Sequence, residues 1–524
     1  MGSEQCFRAL QQFLQSWRIG SCTLKARTLC DVVRTEPGID MERDGAPALL
    51  TATEVASAIR AGQLSASEVL ESQLERIERL NPGLNAIVTL DAESARTRAR
   101  EADRALATGA LWGPLHGVPI TIKDSFDTAG LRTTCGYRPF LGRIPREDAT
   151  AVARLRDAGA IILGKTNVPE FVKRIQTDNG AFGRTNNPWD LSRTPGGSSG
   201  GAAAAIAAGL SFLELGSDIG GSIRIPSHFC GVYGLKTTSG RVSAKGHVSS
   251  ARPSQPPAGC EALFSLASFG PIARSIEDLE VALTILSEPN TPPLAPPAQK
   301  IISELRVAWT DDFGEAPLDA SSRLAMHGLV EALSQRGWRV EPCSDAVDYS
   351  EAWRVFGICI GAVDTIFQSG PERWARRAAS PFLRRFGPQH PFMRGLFEGV
   401  ALDRTGLIRA LERRAAITDR LEDFLANWDC WICPAFPTPA FTHRPARAPI
   451  QADGESIAQM MANLHSFLFN LTGHPVVALP IGLSPEGLPI GVQVVGRRWQ
   501  ETALLSVARQ IASATPGFQR PPGY

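Results

Sequence analysis

Apolar side chains recur at three- and four-residue steps through Val69, Leu70, Leu74, Ile77 and Leu80, a spacing that sets them on one face of a helix. A capping box, Ser65-x-x-Glu68, opens that helix, and Thr51-x-x-Glu54 opens a shorter one before it. Asn81-Pro-Gly83 is expected to end the longer helix. Short unbroken apolar runs at residues 118–122 and 160–163 read as buried strands, and a helix is expected between them, from Asp148 to about Ala158. Helices and short strands continue to alternate through residue 285, which predicts an α/β fold.

The later half follows a proline-rich stretch at residues 289–297, expected to be a surface connection. Helices are predicted over 321–336 and about 350–428, and strands at Trp431-Ile432, 476–479 and 490–495. One compact domain is expected over 46–524, with its core at about 110–285. In residues 1–45, Phe7, Leu10, Phe13, Leu14 and Trp17 recur at helical spacing, predicting an amphipathic helix docked on the body or on a partner.

Composition narrows the function classes. A net charge of +1 with 20% charged residues leaves no basic footprint for nucleic acid and no polybasic membrane signal. No apolar stretch reaches the roughly 18 residues a membrane helix needs; residues 201–215 come nearest and are broken by Gly209 and Glu214. The ten cysteines form no framework. Cys430-Trp-Ile-Cys433 lies in an apolar run without a second Cys/His pair at metal-ligand spacing and reads as buried thiols. A reducing cytoplasm is the expected setting, with no metal or organic cofactor implied.

Candidate chemistry gathers in three segments. Ser198 lies in Pro195-Gly-Gly-Ser-Ser-Gly-Gly201, Ser222 in Gly216-Ser-Asp-Ile-Gly-Gly-Ser-Ile-Arg224, and Lys123 in Gly117-Val-Pro-Ile-Thr-Ile-Lys-Asp124. Glycines around a hydroxyl let backbone N–H groups converge on a ligand, so the N–H groups of Ile219, Gly220, Gly221 and Ser222 are candidate donors to the oxyanion of an attacked carbonyl. A serine nucleophile needs a base, and none of the eight histidines falls in either glycine segment. Lys123, at the carboxyl end of its predicted strand, can serve if burial keeps its amine uncharged.

Two other motif matches carry less. Gly159-Ala-Ile-Ile-Leu-Gly-Lys-Thr166 fits a phosphate-binding loop in letters, but its strand falls inside the motif rather than before it. Gly196-Gly-Ser-Ser-Gly200 fits a nucleophile elbow with His474 as a later histidine, an account that leaves Lys123 and the Ser222 loop unused.

Together with Gly113-Pro-Leu-His-Gly-Val-Pro119, Gly164-Lys-Thr-Asn167, Phe182-Gly-Arg-Thr-Asn-Asn-Pro-Trp189 and Phe229-Cys-Gly-Val-Tyr-Gly-Leu-Lys-Thr237, these segments closely resemble the amidase signature family over about residues 50–515. The resemblance implies a central mixed β-sheet covered by helices on both faces and a Ser-cisSer-Lys triad. On this chain Ser222 would be the nucleophile, Ser198 the relay serine on a cis peptide bond and Lys123 the neutral base. Ser199 would be a hydrogen-bonding neighbour, and Asp218 and Arg224 would hold the nucleophile loop. The stretch from Val168 to Asn179 corresponds to a family segment lining the acyl site, where Val172 would offer its carbonyl to the substrate. Lys173 and Arg174 depart from the small residues common there: either they face solvent, or Arg174 narrows the pocket and favours a polar or anionic group.

Three functions are compatible with this reading. The first is a free-standing amidase on small aliphatic or aryl amides, with ester or carbamate cleavage by the same acyl-enzyme route. The second is the glutaminase component of a glutamyl-tRNA amidotransferase, against which the N-terminal extension and a divergent 370–445 region weigh. The third is a binding protein on the same scaffold, disfavoured by the intact triad positions. The expected partner is a small-molecule amide, and the chain is expected to be a monomer or homodimer.

Overall fold

Both capping boxes form. Thr51 and Ser65 accept the N–H three residues on while Glu54 and Glu68 reach back, opening α1 (Ala52–Arg60) and α2 (Ala66–Leu84). The computed structural model describes residues 46–248, 261–296, 305–314, 316–366, 380, 389–445 and 448–524; the helix expected from Phe7 to Trp17 lies outside them. α2 does not stop at Asn81 but runs through Pro82 to a left-handed cap at Asn85, φ 51°. In the final turn the proline removes a single N–H, and the Asn81 carboxamide, bonded to Ala86 N, Ile87 N and Ile87 O, turns the chain into the first strand.

That strand, β1 (Ile87–Leu90), is followed by α3 (Ala92–Ala107), β2 (Pro119–Lys123), α4 (Thr150–Asp157), β3 (Ile161–Thr166) and a small ribbon of β4 (Asp178–Asn179) and β5 (Gly183–Arg184). Next come α5 (Gly200–Ala207), β6 (Leu213–Asp218), α6 (Arg224–Cys230), β7 (Tyr233–Lys236), β8 (Ser268–Ala273) and α7 (Ile276–Leu286). The later half holds β9 (Arg306–Trp309), α8 (Ala320–Gln335), β10 (Arg339–Pro342), α9 (Tyr349–Ile366), α10 (Pro391–Val400), α11 (Arg404–Leu425) and β11 (Cys430–Pro434). It ends with a hairpin of β12 (Ile450–Ala452) and β13 (Glu455–Ile457), then α12 (Leu464–Leu471), β14 (Val476–Leu483), β15 (Pro489–Val495) and α13 (Glu501–Ala512).

Eleven strands form one mixed sheet in the order β1-β3-β2-β6-β8-β7-β14-β15-β11-β9-β10, flanked by the helices. The late strands join the same sheet as the early ones, and Pro47–Tyr524 is one compact unit. The single helical stretch expected over 350–428 is three helices among the described residues, α9, α10 and α11. No described helix is long and apolar enough to cross a membrane.

The topology gathers the candidate chemistry at one end of the sheet. β2 runs parallel to β3 and to β6, so Lys123 and Asp218, the last residues of β2 and β6, leave the sheet at the same edge. Within β2, Ile120 and Ile122 join the main apolar core, while Thr121 and Lys123 alternate onto the other face. α5 packs over these strands, and its glycines permit the approach: a Cβ on Gly201 would stand 2.4 Å from Asn167 N.

The C-terminal helix is tied to this body by charge. Glu501, at the start of α13, is fully buried; its carboxylate accepts from Thr238 N at 3.0 Å and from Arg241 Nη2 at 3.0 Å. Glu501→Leu strands the Arg241 guanidinium in the interior, a loss of about 3–5 kcal/mol. The urea midpoint is expected to fall with an unchanged slope; an unchanged midpoint would show that the pair contributes nothing.

Candidate active site

Lys123 is fully buried, and its amine is ringed by oxygens: Ser198 Oγ at 2.8 Å, Ser199 Oγ at 2.7 Å, Ser217 Oγ at 2.8 Å and the Ser217 carbonyl at 3.3 Å. Burial drives its pKa down to about 7, against the opposing influence of Cys135, Asp218 and Glu214. No carboxylate touches the amine among the described residues, so nothing there pins a proton on it.

Two glycine loops bring the serines to this amine. The peptide bond between Gly197 and Ser198 is cis. A Cβ on Gly197 would lie 2.5 Å from the Arg174 carbonyl, so only glycine fits between the 174–176 backbone and Ser198. Thr177 Oγ1 donates to the Gly196 carbonyl at 2.8 Å. The second loop leaves β6 after Asp218 and enters α6 at Arg224. Ser199 N donates to the Ser222 carbonyl at 3.1 Å and joins the two loops. Ser222 is half-buried, and its hydroxyl has no hydrogen bond among the described residues, to Ser198 Oγ or elsewhere.

Asp218 and Arg224 form a fully buried ion pair of 2.8 Å. Burial alone would raise the Asp218 pKa, but the Arg224 charge, its hydrogen bonds and the Ile223 N–H hold it well below the usual carboxylate range. Asp218 also accepts from Gly221 N and Ile223 N, both at 2.9 Å, bending the loop around one carboxylate. This corrects the expectation for the oxyanion donors: the Gly221 N–H is committed to Asp218, whereas those of Ile219, Gly220 and Ser222 have no partner among the described residues. Gly221 itself has φ +99°, and a Cβ there would meet Ile225 and Ser466, both at 2.6 Å.

Three residues of this framework escaped the sequence reading. Arg224 also bonds Asn470 Oδ1 and Gln493 Oε1, both at 2.5 Å. Asn470 returns a bond to the Asp218 carbonyl at 3.0 Å. Asn470 is a lone amide in the apolar run Phe467-Leu-Phe-Asn-Leu471 and Gln493 a lone amide in β15, a signal that marks a buried polar group but names no partner. Ser217, the third hydroxyl on Lys123, stands inside the quoted serine segment.

Val172 and the preceding Phe171 have φ of +56° and +50°, a conformation that is costly for a β-branched residue and concentrates at functional sites. Phe171 N donates to the Cys135 carbonyl at 2.9 Å, and its ring packs on Tyr137, 4.6 Å between centroids. Of the two placements expected for Lys173 and Arg174, both side chains take the exposed one. Lys173 lies 3.8 Å from Asp364, and Arg174 borders a surface depression that Glu170 and Asp178 also line.

The competing motifs resolve structurally. Lys165 of the phosphate-loop match is buried in β3, its amine on the Phe126 carbonyl, Thr128 Oγ1 and Thr133 Oγ1. His474 Nδ1 bonds Thr472 Oγ1 and its Nε2 lies 3.3 Å from Glu422, away from both serine loops. Cys430 and Cys433 are free buried thiols of β11, raised in pKa by burial.

A family model described as Amidase matches residues 68–505. The A subunit of a glutamyl-tRNA(Gln) amidotransferase from Cyanothece sp. is 34% identical over 485 residues, 87% of this chain and 96% of that protein. Among solved structures, an amidase is 30% identical with a TM-score of 0.72, covering 89% of this chain and all of that one. A 6-aminohexanoate cyclic dimer hydrolase complexed with substrate is 29% identical with a TM-score of 0.71, covering 91% and 99%. The cis serine, the buried lysine and these matches lead to one assignment: this chain belongs to the amidase signature family and is an amide-cleaving hydrolase.

Proposed function

We propose that the protein cleaves a carboxamide C–N bond through an acyl-enzyme on Ser222, with Lys123 and Ser198 as the proton relay. The observation that carries this reading is a fully buried amine within 2.8 Å of the Ser198 hydroxyl. The neutral Lys123 amine takes the Ser198 proton, and Ser198 takes the Ser222 proton as Ser222 Oγ bonds to the carbonyl carbon. The oxyanion collects the free N–H groups of Ile219, Gly220 and Ser222. The same relay then protonates the departing nitrogen as the C–N bond breaks, and water hydrolyses the ester by the reverse path. Ser199 orients the amine, the Asp218–Arg224 pair keeps the loop N–H groups in place, and the Val172 carbonyl receives the substrate amide.

For the substrate, the curated relatives favour the second of the enzyme readings over the first. They are named as amidotransferase A subunits, which points to the side-chain amide of glutamine and to partner proteins that take up the ammonia. The free-standing reading on small amides keeps support from solved relatives named amidase and cyclic dimer hydrolase. Copurifying partner proteins and tRNA-dependent ammonia transfer distinguish the former; turnover of small amides by the isolated chain distinguishes the latter.

Ser222→Ala is expected to abolish covalent labelling by a fluorophosphonate probe, and retained labelling would assign the nucleophile elsewhere. Only the uncharged amine can accept a proton, so the wild-type labelling rate is expected to rise with pH, reach half its plateau near the Lys123 pKa of about 7 and be lost below it. Arg174→Ala is expected to leave the KM ranking of neutral and anionic amides unchanged, because its side chain is exposed among carboxylates; a reordered ranking would put the guanidinium in the pocket.

A further inference from the structure

A second buried titratable group lies under the Lys123 amine, and the relay does not use it. Thr121 pairs in register with Glu214 across β2 and β6, and Lys123 with Thr166 across β2 and β3. Alternate residues of a strand share a face, so Thr121, Lys123, Glu214 and Thr166 stand together on one side of the sheet. One two-residue step, about 6.6 Å of strand rise, separates the Thr121–Glu214 level from Lys123.

Glu214 is 1% exposed. Its two carboxyl oxygens meet hydroxyls alone, Thr121 Oγ1 and, at 2.9 Å, Thr166 Oγ1. Among the described residues it has neither an ion pair nor a backbone N–H on its carboxyl. The other carboxylates nearby are committed: Asp218 to Arg224, and Asp124 to the Thr134 N–H and hydroxyl. Glu214 is therefore the buried acid beside the base whose charge nothing fixes.

We propose that Glu214 is a positioning residue of this site: its carboxyl and the Lys123 amine share a proton as a coupled pair, and the neutral acid beneath the amine keeps that amine free to accept. The inference rests on Lys123 being the base. Burial disfavours the charged form of each, holding Glu214 up to about 8 and Lys123 down to about 7, so both exchange protons over the same range. With the proton on Glu214, both groups are neutral and the relay can run. With it on Lys123, the two form an ion pair and the amine has no capacity to act.

Other titratable groups also face this pair. Cys135, from the loop after β2, and Asp218, at the end of β6, favour the charged amine along with Glu214, and burial with the Lys123 charge keeps His247, in the segment after β7, neutral. Lys165, with Asp124 beside it, influences Glu214 from β3; Lys165 pairs in register with Ile122 and so lies on the opposite face. α5 brings only Gly, Ala and Ile.

Glu214→Gln keeps the size and the hydroxyl bonds but removes the ion-paired state, so the amine must lose its proton at lower pH. The test is the rate of fluorophosphonate labelling against pH for wild type, Glu214→Gln and Lys123→Met. The acid midpoint of Glu214→Gln is expected about half a pH unit or more below that of wild type, and Lys123→Met is expected to label about 100-fold more slowly with no midpoint near 7. A Glu214→Gln midpoint that coincides with wild type, while Lys123→Met abolishes it, overturns the coupling and leaves the base in place. A Lys123→Met protein that keeps the wild-type profile overturns the base itself. Should the glutamine variant fail to fold, Glu214→Asp, which draws the carboxyl back by one methylene, is expected to shift the midpoint, and an unmoved midpoint there also overturns the coupling.

Discussion

A lysine amine taken fully out of water and given hydroxyls instead of a carboxylate is the constraint around which this site is built. Bringing the Lys123 pKa from the usual lysine range to about 7 corresponds to roughly 5 kcal/mol of preference against the charged form. A buried ion pair would cancel that preference, and Asp218, a neighbouring anion, is spent on Arg224. On the proposed reading the amine, held by three serine hydroxyls, is free to shed its charge near neutral pH and then to take a proton from one of them.

The fold serves this constraint through small residues. Strand alternation separates the isoleucines of β2, which enter the core, from Thr121 and Lys123, which face the helix side. On that side α5, glycine and alanine apart from Ile206, comes close to the strands, where a Cβ on Gly201 would meet the Asn167 backbone. The glycines at 197 and 221 occupy places where a Cβ would strike the Arg174 carbonyl or the Ile225 and Ser466 side chains. The serine loops can therefore close over the amine only because those positions carry no side chain.

Much of the site is legible in the chain because its chemistry lies in contiguous segments. Lys123 ends a visible apolar run, and each serine sits among glycines whose purpose is hard to mistake. Asp218 and Arg224 are neighbours in the same loop. What stays hidden depends on long-range pairing: Asn470 and Gln493 reach Arg224 from distant parts of the chain, at separations of 246 and 269, and nothing local distinguishes them from other buried amides. Glu214 looks like a break in an apolar run until the register sets it beside Thr121. Local rules also misplace details where tertiary bonds compete, as when Asn81 and Asn85 carry α2 past its proline, and when Asp218 claims the Gly221 N–H.

The central claim concerns the charge on one amine, and titration of that amine tests it most directly. In protein carrying ¹³C at lysine Cε, the Lys123 resonance can be assigned by its loss in Lys123→Met and followed by NMR against pH. The account requires its midpoint near 7. A midpoint at the ordinary lysine value of about 10.4 would contradict it, because the amine would then carry a proton wherever the enzyme has to work.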